Sequence, residues 1–164
     1  MPASPHRLRI ALLAVVALAV TAGAAVATTL VTRPGPVVRT PLAAATNPAG
    51  APGKTLGLSR VTVEPGGRLP LHRHPGTQTA YLTQGALTYT VVTGAVTVRR
   101  GDPETGADVV RTVRDGETAV IRAGEWIVER PGTIHRAENA GRRRIVIWLA
   151  TLFKTGAPSA IPVQ

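Results

Sequence analysis

From Thr55 onward, apolar and polar residues alternate with a period of two, in short runs separated by turn residues. Successive side chains of an extended strand point to opposite faces, so this alternation marks half-buried strands. The pattern predicts strands at Leu56–Val63, Leu69–His74, Gln78–Thr83, Leu87–Val91 and Ala95–Arg100. It continues with Val109–Val113, Thr118–Arg122, Trp126–Val128 and a long apolar strand, Arg143–Phe153. Glu64-Pro65-Gly66-Gly67, Thr93-Gly94 and Asp115-Gly116 supply turns between them. No helical periodicity of any length interrupts the series. Strands spaced roughly 8–12 residues apart argue for an all-β sandwich or barrel.

Before Thr55 the pattern is different. Ile10–Val31 runs without a charge and follows His6, Arg7 and Arg9, which predicts a hydrophobic N-terminal helix. The most apolar part, Ile10–Val20, is short, and Ala25-Val26-Ala27 fits a cleavage site, as in a secretory signal peptide. The uncharged run is also long enough to span a bilayer as a membrane anchor. Basic residues ahead of the segment place the rest of the chain outside under either reading. The expected localisation is therefore secreted, within the cell envelope, or anchored by residues 10–31.

Residues 32–54 contain five prolines and little core-forming sequence, and read as a flexible Pro/Ala-rich linker. The expected organisation is 1–31 signal or anchor, 32–54 linker, 55–153 barrel and 154–164 tail. The tail has two prolines and is expected to be loose or to lie across the outside. The ~110 residues from Thr55 suffice for one small β domain.

Composition changes this picture little. The formal net charge is +10, but only two of the nineteen basic residues are lysine. No basic block is interleaved with aromatics, so a nucleic-acid partner is not expected. Arg142–Arg144 follows Asn139-Ala140-Gly141 and reads as a solvated turn. There is no cysteine, which excludes disulfide and thiolate chemistry. The five aromatic residues, Tyr81, Tyr89, Trp126, Trp148 and Phe153, are scarce bulk for a small barrel. The tyrosines and tryptophans are therefore expected in its core.

The candidate chemistry lies in Gly66–Gly85. His72 and His74 are two apart on a strand and share a face, and Gln78 can rejoin that face after Pro75-Gly76. His135 arrives from a separate stretch, ERPGTIHRAEN. Neutral imidazoles suit Zn, Cu, Fe and Ni, and leave a divalent ion its full charge. Exposed strand and loop histidines would carry the same short spacing.

The complete spacing says more. Gly66, five residues, His72-x-His74, three residues, Gln78, six residues and Gly85 resembles the first motif of the cupin family. Gly124, seven residues, Gly132, two residues, His135, three residues and Asn139 resembles the second. Two departures stand out. Gln78 replaces the family's glutamate, and Pro131 lies one position beyond the usual proline, which would fall at Arg130. The resemblance covers Thr55–Phe153. It implies a double-stranded β-helix, or jelly-roll barrel, often a homodimer. It also implies a divalent metal (Fe, Mn, Ni, Cu or Zn) held inside by His72, His74, Gln78 and His135. Asn139 is expected to brace the backbone near His135. Gly66, Gly85, Gly124 and Gly132 fall where strands turn.

Glutamine keeps an amide oxygen but loses charge and basicity, so a mechanism that needs a carboxylate at position 78 is excluded. A three-histidine centre, a binding-only metal site and a metal-free site all remain open. Glu129 is the candidate catalytic residue, expected to face the cavity mouth and supply the missing charge. As a bland alternative, Glu125 and Glu129 would be solvated strand-end carboxylates paired with arginines. Two functions follow: a metal-dependent, dioxygenase-like oxidoreductase acting on a small organic molecule, or a non-catalytic module binding a small ligand or metal.

Overall fold

The structure, a computed structural model, describes residues 35–164; the expected N-terminal helix lies outside the described residues. The first strands are β1 Val37–Thr46, β2 Lys54–Val63, β3 Arg68–Arg73, β4 Thr77–Gln84, β5 Ala86–Thr93 and β6 Val96–Arg100. They are followed by β7 Asp108–Val113, β8 Thr118–Arg122, β9 Glu125–Glu129, β10 Ile134–Glu138, β11 Ile145–Lys154 and β12 Ile161–Pro162. One antiparallel sheet has seven strands in the order β1-β2-β11-β4-β9-β6-β7; the other has five, β12-β3-β10-β5-β8. The all-β architecture expected from the alternation forms, and its two antiparallel sheets agree with the jelly-roll barrel that the resemblance implies.

Period-two patterning is clearest in β11, where Ile145, Ile147, Leu149, Thr151 and Phe153 point inward. Val61, Val63, Leu82, Leu87, Val91, Ile121 and Ile127 meet them from neighbouring and facing strands, so the core lies between the sheets. Burying each such side chain contributes about 1.5–3 kcal/mol, and that summed gain sets the strand register. At the turn between β4 and β5, Gly85 has φ +84°, and a Cβ there would press on the Arg144 carbonyl and Ile145. Glycine alone fits both constraints.

Three expectations are corrected. Much of residues 32–54, read as a linker, is β1, an edge strand paired with β2 from Val37↔Val63 to Thr46↔Thr55. Its register shifts between Pro41 and Ala43. An edge strand can absorb a proline, because a proline without an N–H sacrifices one ladder bond and the bulge takes up the irregularity. The tail is not loose: β12 pairs with β3, Ile161↔Arg73 and Pro162↔His72.

The aromatics also divide differently. Tyr89 is buried, but Tyr81 and Trp148 are 43% and 39% exposed. They pair in register, Trp148↔Tyr81↔Trp126, on the outer face of the larger sheet. The guanidinium of Arg99 lies over Trp126 at 6.0 Å. Valine, isoleucine and leucine fill the interior instead.

Candidate metal centre

Two strands and one turn deliver the histidines. His72 and His135 are register partners on β3 and β10 in the smaller sheet. His74 follows at the turn after β3 and stacks on Phe153 of β11, with ring centroids 5.9 Å apart. The ring centroids of His72 and His135 are 4.3 Å apart, and that of His74 lies 4.9 and 5.2 Å from them. One ring nitrogen from each falls within 4.8 Å of the others. All three histidines are buried. Of the sequence-predicted set of His72, His74, Gln78 and His135, the three histidines are therefore assembled at one place.

Their outer nitrogens are engaged by backbone. Nδ1 of His72 lies 2.6 Å from the Pro70 carbonyl, and Nδ1 of His74 lies 2.9 Å from that of Ser159. The His135 Nδ1 makes a longer, weaker contact of 3.4 Å with the Thr133 carbonyl. A carbonyl can only accept, so Nδ1 carries the hydrogen and a neutral ring presents its Nε2 lone pair inward. This is the tautomer a metal ligand needs, fixed by its outer partner.

The larger sheet supplies the opposite wall. Gln78 on β4 and Glu129 on β9 are register partners, both buried. The Glu129 carboxylate is the hub of the site. Its Oε2 accepts a 2.6 Å hydrogen bond from Gln78 Nε2, and its Oε1 accepts one of 2.9 Å from the Tyr89 hydroxyl. Oε1 also lies 3.0 Å from His135 Nε2, and Oε2 lies 3.4 Å from His74 Nε2. Burial alone would raise the Glu129 pKa, but hydrogen bonds and charge from His135 and His74 outweigh it. The carboxyl is held well below its usual range. Burial, with the charge of Glu129 beside it, pushes the Tyr89 hydroxyl far up, so it keeps its proton and acts as a donor. The His72 ring is lowered, chiefly by burial, which favours the neutral form.

Glu129 thus differs from the expectation that it faces the cavity mouth. It is only 3% exposed, enclosed by its four partners. Glu125 is buried too, and is not a solvated carboxylate. It accepts from the Arg122 backbone N–H at 2.8 Å and pairs with Arg100 and Arg111 at 3.0 and 3.2 Å. Its role is to tie β6, β7 and β9 together. Asn139 braces backbone as expected, donating through Nδ2 to the Val63 and Arg143 carbonyls and accepting from the Gly141 N–H.

The residues fit a divalent cation. Gln78 uses Nε2 toward Glu129 and His74, while its Oε1 is buried without a hydrogen-bond partner. Reversing the amide would set its oxygen against an ionised carboxylate, so the orientation is fixed by charge. An orphaned amide oxygen, three imidazoles and one carboxylate together form a donor set with a surplus of lone pairs. Two lone pairs at 3.0 Å repel, so the approach of His135 Nε2 to Glu129 Oε1 is one that a proton or a cation would relieve.

Sequence reasoning overlooked two contributors. Tyr89 was assigned to the core for its bulk, although it lies on β5 opposite Ala137, two residues from His135. The Ser159 carbonyl comes from the tail, where no periodicity marked a strand. A cavity of about 570 Å³ adjoins the histidines.

Residues 59–102 match the cupin domain family. A search of curated proteins found no match. Among solved structures, an oxalate oxidase in complex with the substrate analogue glycolate is 23% identical with a TM-score of 0.49, covering 80% of this chain. The chain spans only 56% of that protein's length. A cupin superfamily protein from Desulfitobacterium hafniense is 14% identical, with a TM-score of 0.48 and coverage of 74% of this chain and 82% of that one. A cupin 2 domain-containing protein from Halorhodospira halophila is 17% identical, with a TM-score of 0.49 and coverage of 77% and 70%.

Proposed function

We propose that this barrel, a cupin match over residues 59–102, is a divalent-metal-dependent, dioxygenase-like oxidoreductase acting on a small organic molecule. The observation that carries the reading is Glu129, a buried carboxylate in contact with two of the three histidines. His72, His74 and His135 would hold the ion through Nε2. When bound, such an ion supplies Lewis acidity and, for iron, manganese or copper, electron transfer. Glu129 would hold beside the ion the negative charge that Gln78 lacks. Tyr89 and Gln78 orient that carboxylate by donating to its two oxygens. The apolar barrel wall excludes water from the reacting groups.

A binding-only module is the second reading. It is favoured by the full occupation of both Glu129 oxygens, which leaves no lone pair obviously reserved for substrate. Oxygen uptake by metal-loaded protein against flavonols, diketones and thiols separates the two. Turnover abolished by Glu129→Gln supports the enzyme; stoichiometric metal without uptake on any substrate supports the binder.

The same reading places the barrel outside the membrane, supported by the uncharged run from Ile10 to Val31 and the basic residues before it. N-terminal mass determination of protein from the envelope fraction distinguishes a cleaved signal from a retained anchor. Dimerisation belongs to this reading as well, and light scattering tests it.

A further inference from the structure

Outside the histidine cluster, the cavity wall is almost wholly apolar, with Leu69, Leu87, Ile127, Ile147 and Leu149 among its lining residues. Arg39 is the charged exception. It comes from β1, the strand hidden in the proline-rich stretch, and is half-buried. Across the larger sheet its row runs Arg39↔Val61↔Ile147↔Leu82. Leu82 and Gln78 are four residues apart on β4, so this row lies about 13 Å along the strand from the Gln78–Glu129 row.

The arginine side chain turns back across part of that distance. Its Nε donates to Ser59 Oγ at 3.3 Å, and Ser59 belongs to the intermediate row with Leu149, Ala80 and Ile127. Among the described residues, no carboxylate lies within ion-pair distance of Arg39, whereas Arg68, Arg100, Arg111 and Arg144 each have one. A guanidinium in a low-polarity wall without a counter-ion is costly, and its burial already pulls its pKa down. Five donors in a planar fork match a carboxylate.

We infer that the cavity binds a small organic carboxylate, its head paired with Arg39 and its apolar body lying against the leucine and isoleucine wall toward the histidines. An aromatic or short branched acid suits a cavity of this size, about 570 Å³. This names the substrate class of the proposed oxidoreductase, and rests on that reading only for what happens at the histidine end. Carboxylate recognition at Arg39 needs no metal.

The test is calorimetric titration of the full chain with benzoate, cinnamate and 2-methylbutyrate, each beside its neutral amide, before and after chelator treatment. The expected result is binding of at least one acid to the metal-free protein, at least tenfold tighter than its amide. Arg39→Gln should weaken that acid at least tenfold and Arg39→Lys less, with bound metal unchanged in both. Equal affinity of acid and amide, no binding of any acid, or full affinity in Arg39→Gln would overturn the inference. A metal content of zero beside Arg39-dependent acid binding would instead remove the oxidoreductase reading and leave this one standing.

Discussion

Gln78 and Glu129 face each other across the β4–β9 ladder, and the glutamine amide donates a 2.6 Å hydrogen bond to the glutamate carboxylate. A carboxylate is therefore present at the histidine cluster, but it comes from the neighbouring strand. Its two oxygens lie beside the Nε2 atoms of His135 and His74, and the amide at position 78 serves as its clamp.

Replacing Gln78 with glutamate would put two carboxylates at that 2.6 Å contact. One must then take up a proton or move, since like charges so close cannot both ionise in a buried site. Gln78→Glu is expected to destabilise the metal-free protein by roughly 2 kcal/mol, a melting-temperature drop on the order of 5–10 °C. Loading with a divalent ion should recover much of the drop. Calorimetric melts with and without metal check this; an unchanged melting temperature in the metal-free variant contradicts the clamp.

Tyr89→Phe removes the hydroxyl that donates to Glu129 Oε1 but keeps the ring stacked on His135, 5.1 Å between centroids. The loss of one donor to a buried carboxylate should cost about 1–3 kcal/mol. With a substrate in hand, turnover should fall about tenfold while bound metal stays near the native level, because Tyr89 touches the carboxylate and supplies no metal ligand. Elemental analysis beside oxygen uptake reads both.

Asn139 is 1% exposed, and its side chain links the Val63 and Arg143 carbonyls to the Gly141 N–H. Asn139→Ala strands these groups and should destabilise the barrel by about 2–4 kcal/mol. Denaturant unfolding measures it. The loss should match in chelated and metal-loaded protein, since the residue holds backbone and not the ion.

A chain beginning at Thr55 would lack β1 and lose its ladder along all of β2. It would uncover Val61 and Val63 and remove Val37 and Arg39 from the cavity wall. Such a chain should keep the histidine cluster but melt lower and bind organic acids poorly. Acid affinity equal to that of the full chain would contradict the place assigned to β1.

The strands that alternate strongly were legible in the sequence, to within one or two residues at most ends: Thr118–Arg122 is β8 as read. The histidine set was legible because spacing within two glycine-bounded motifs survives in one dimension. Three elements were not, the first being β10, which carries His135 in a turn-rich stretch that was given no strand of its own. β1 buries almost nothing, so its ten residues carry no alternation, and Pro41 within it argues against a strand. It exists because the open edge of β2 offers unpaired backbone groups. β12 is two residues long and equally silent. Glu129 was singled out as a source of charge, but its depth was misplaced. Facing the mouth or the centre depends on how β9 lies against β4, and that register is set by partners distant in sequence.

The most direct test is metal bound to the full chain, measured by elemental analysis after loading with Fe, Mn, Ni, Cu and Zn in turn, with His135→Ala as control. The three-histidine centre predicts about one equivalent of at least one metal in the native protein and less than about a tenth in the variant. Less than about a tenth of an equivalent of every metal in native protein, or equal loading of native protein and variant, would contradict it.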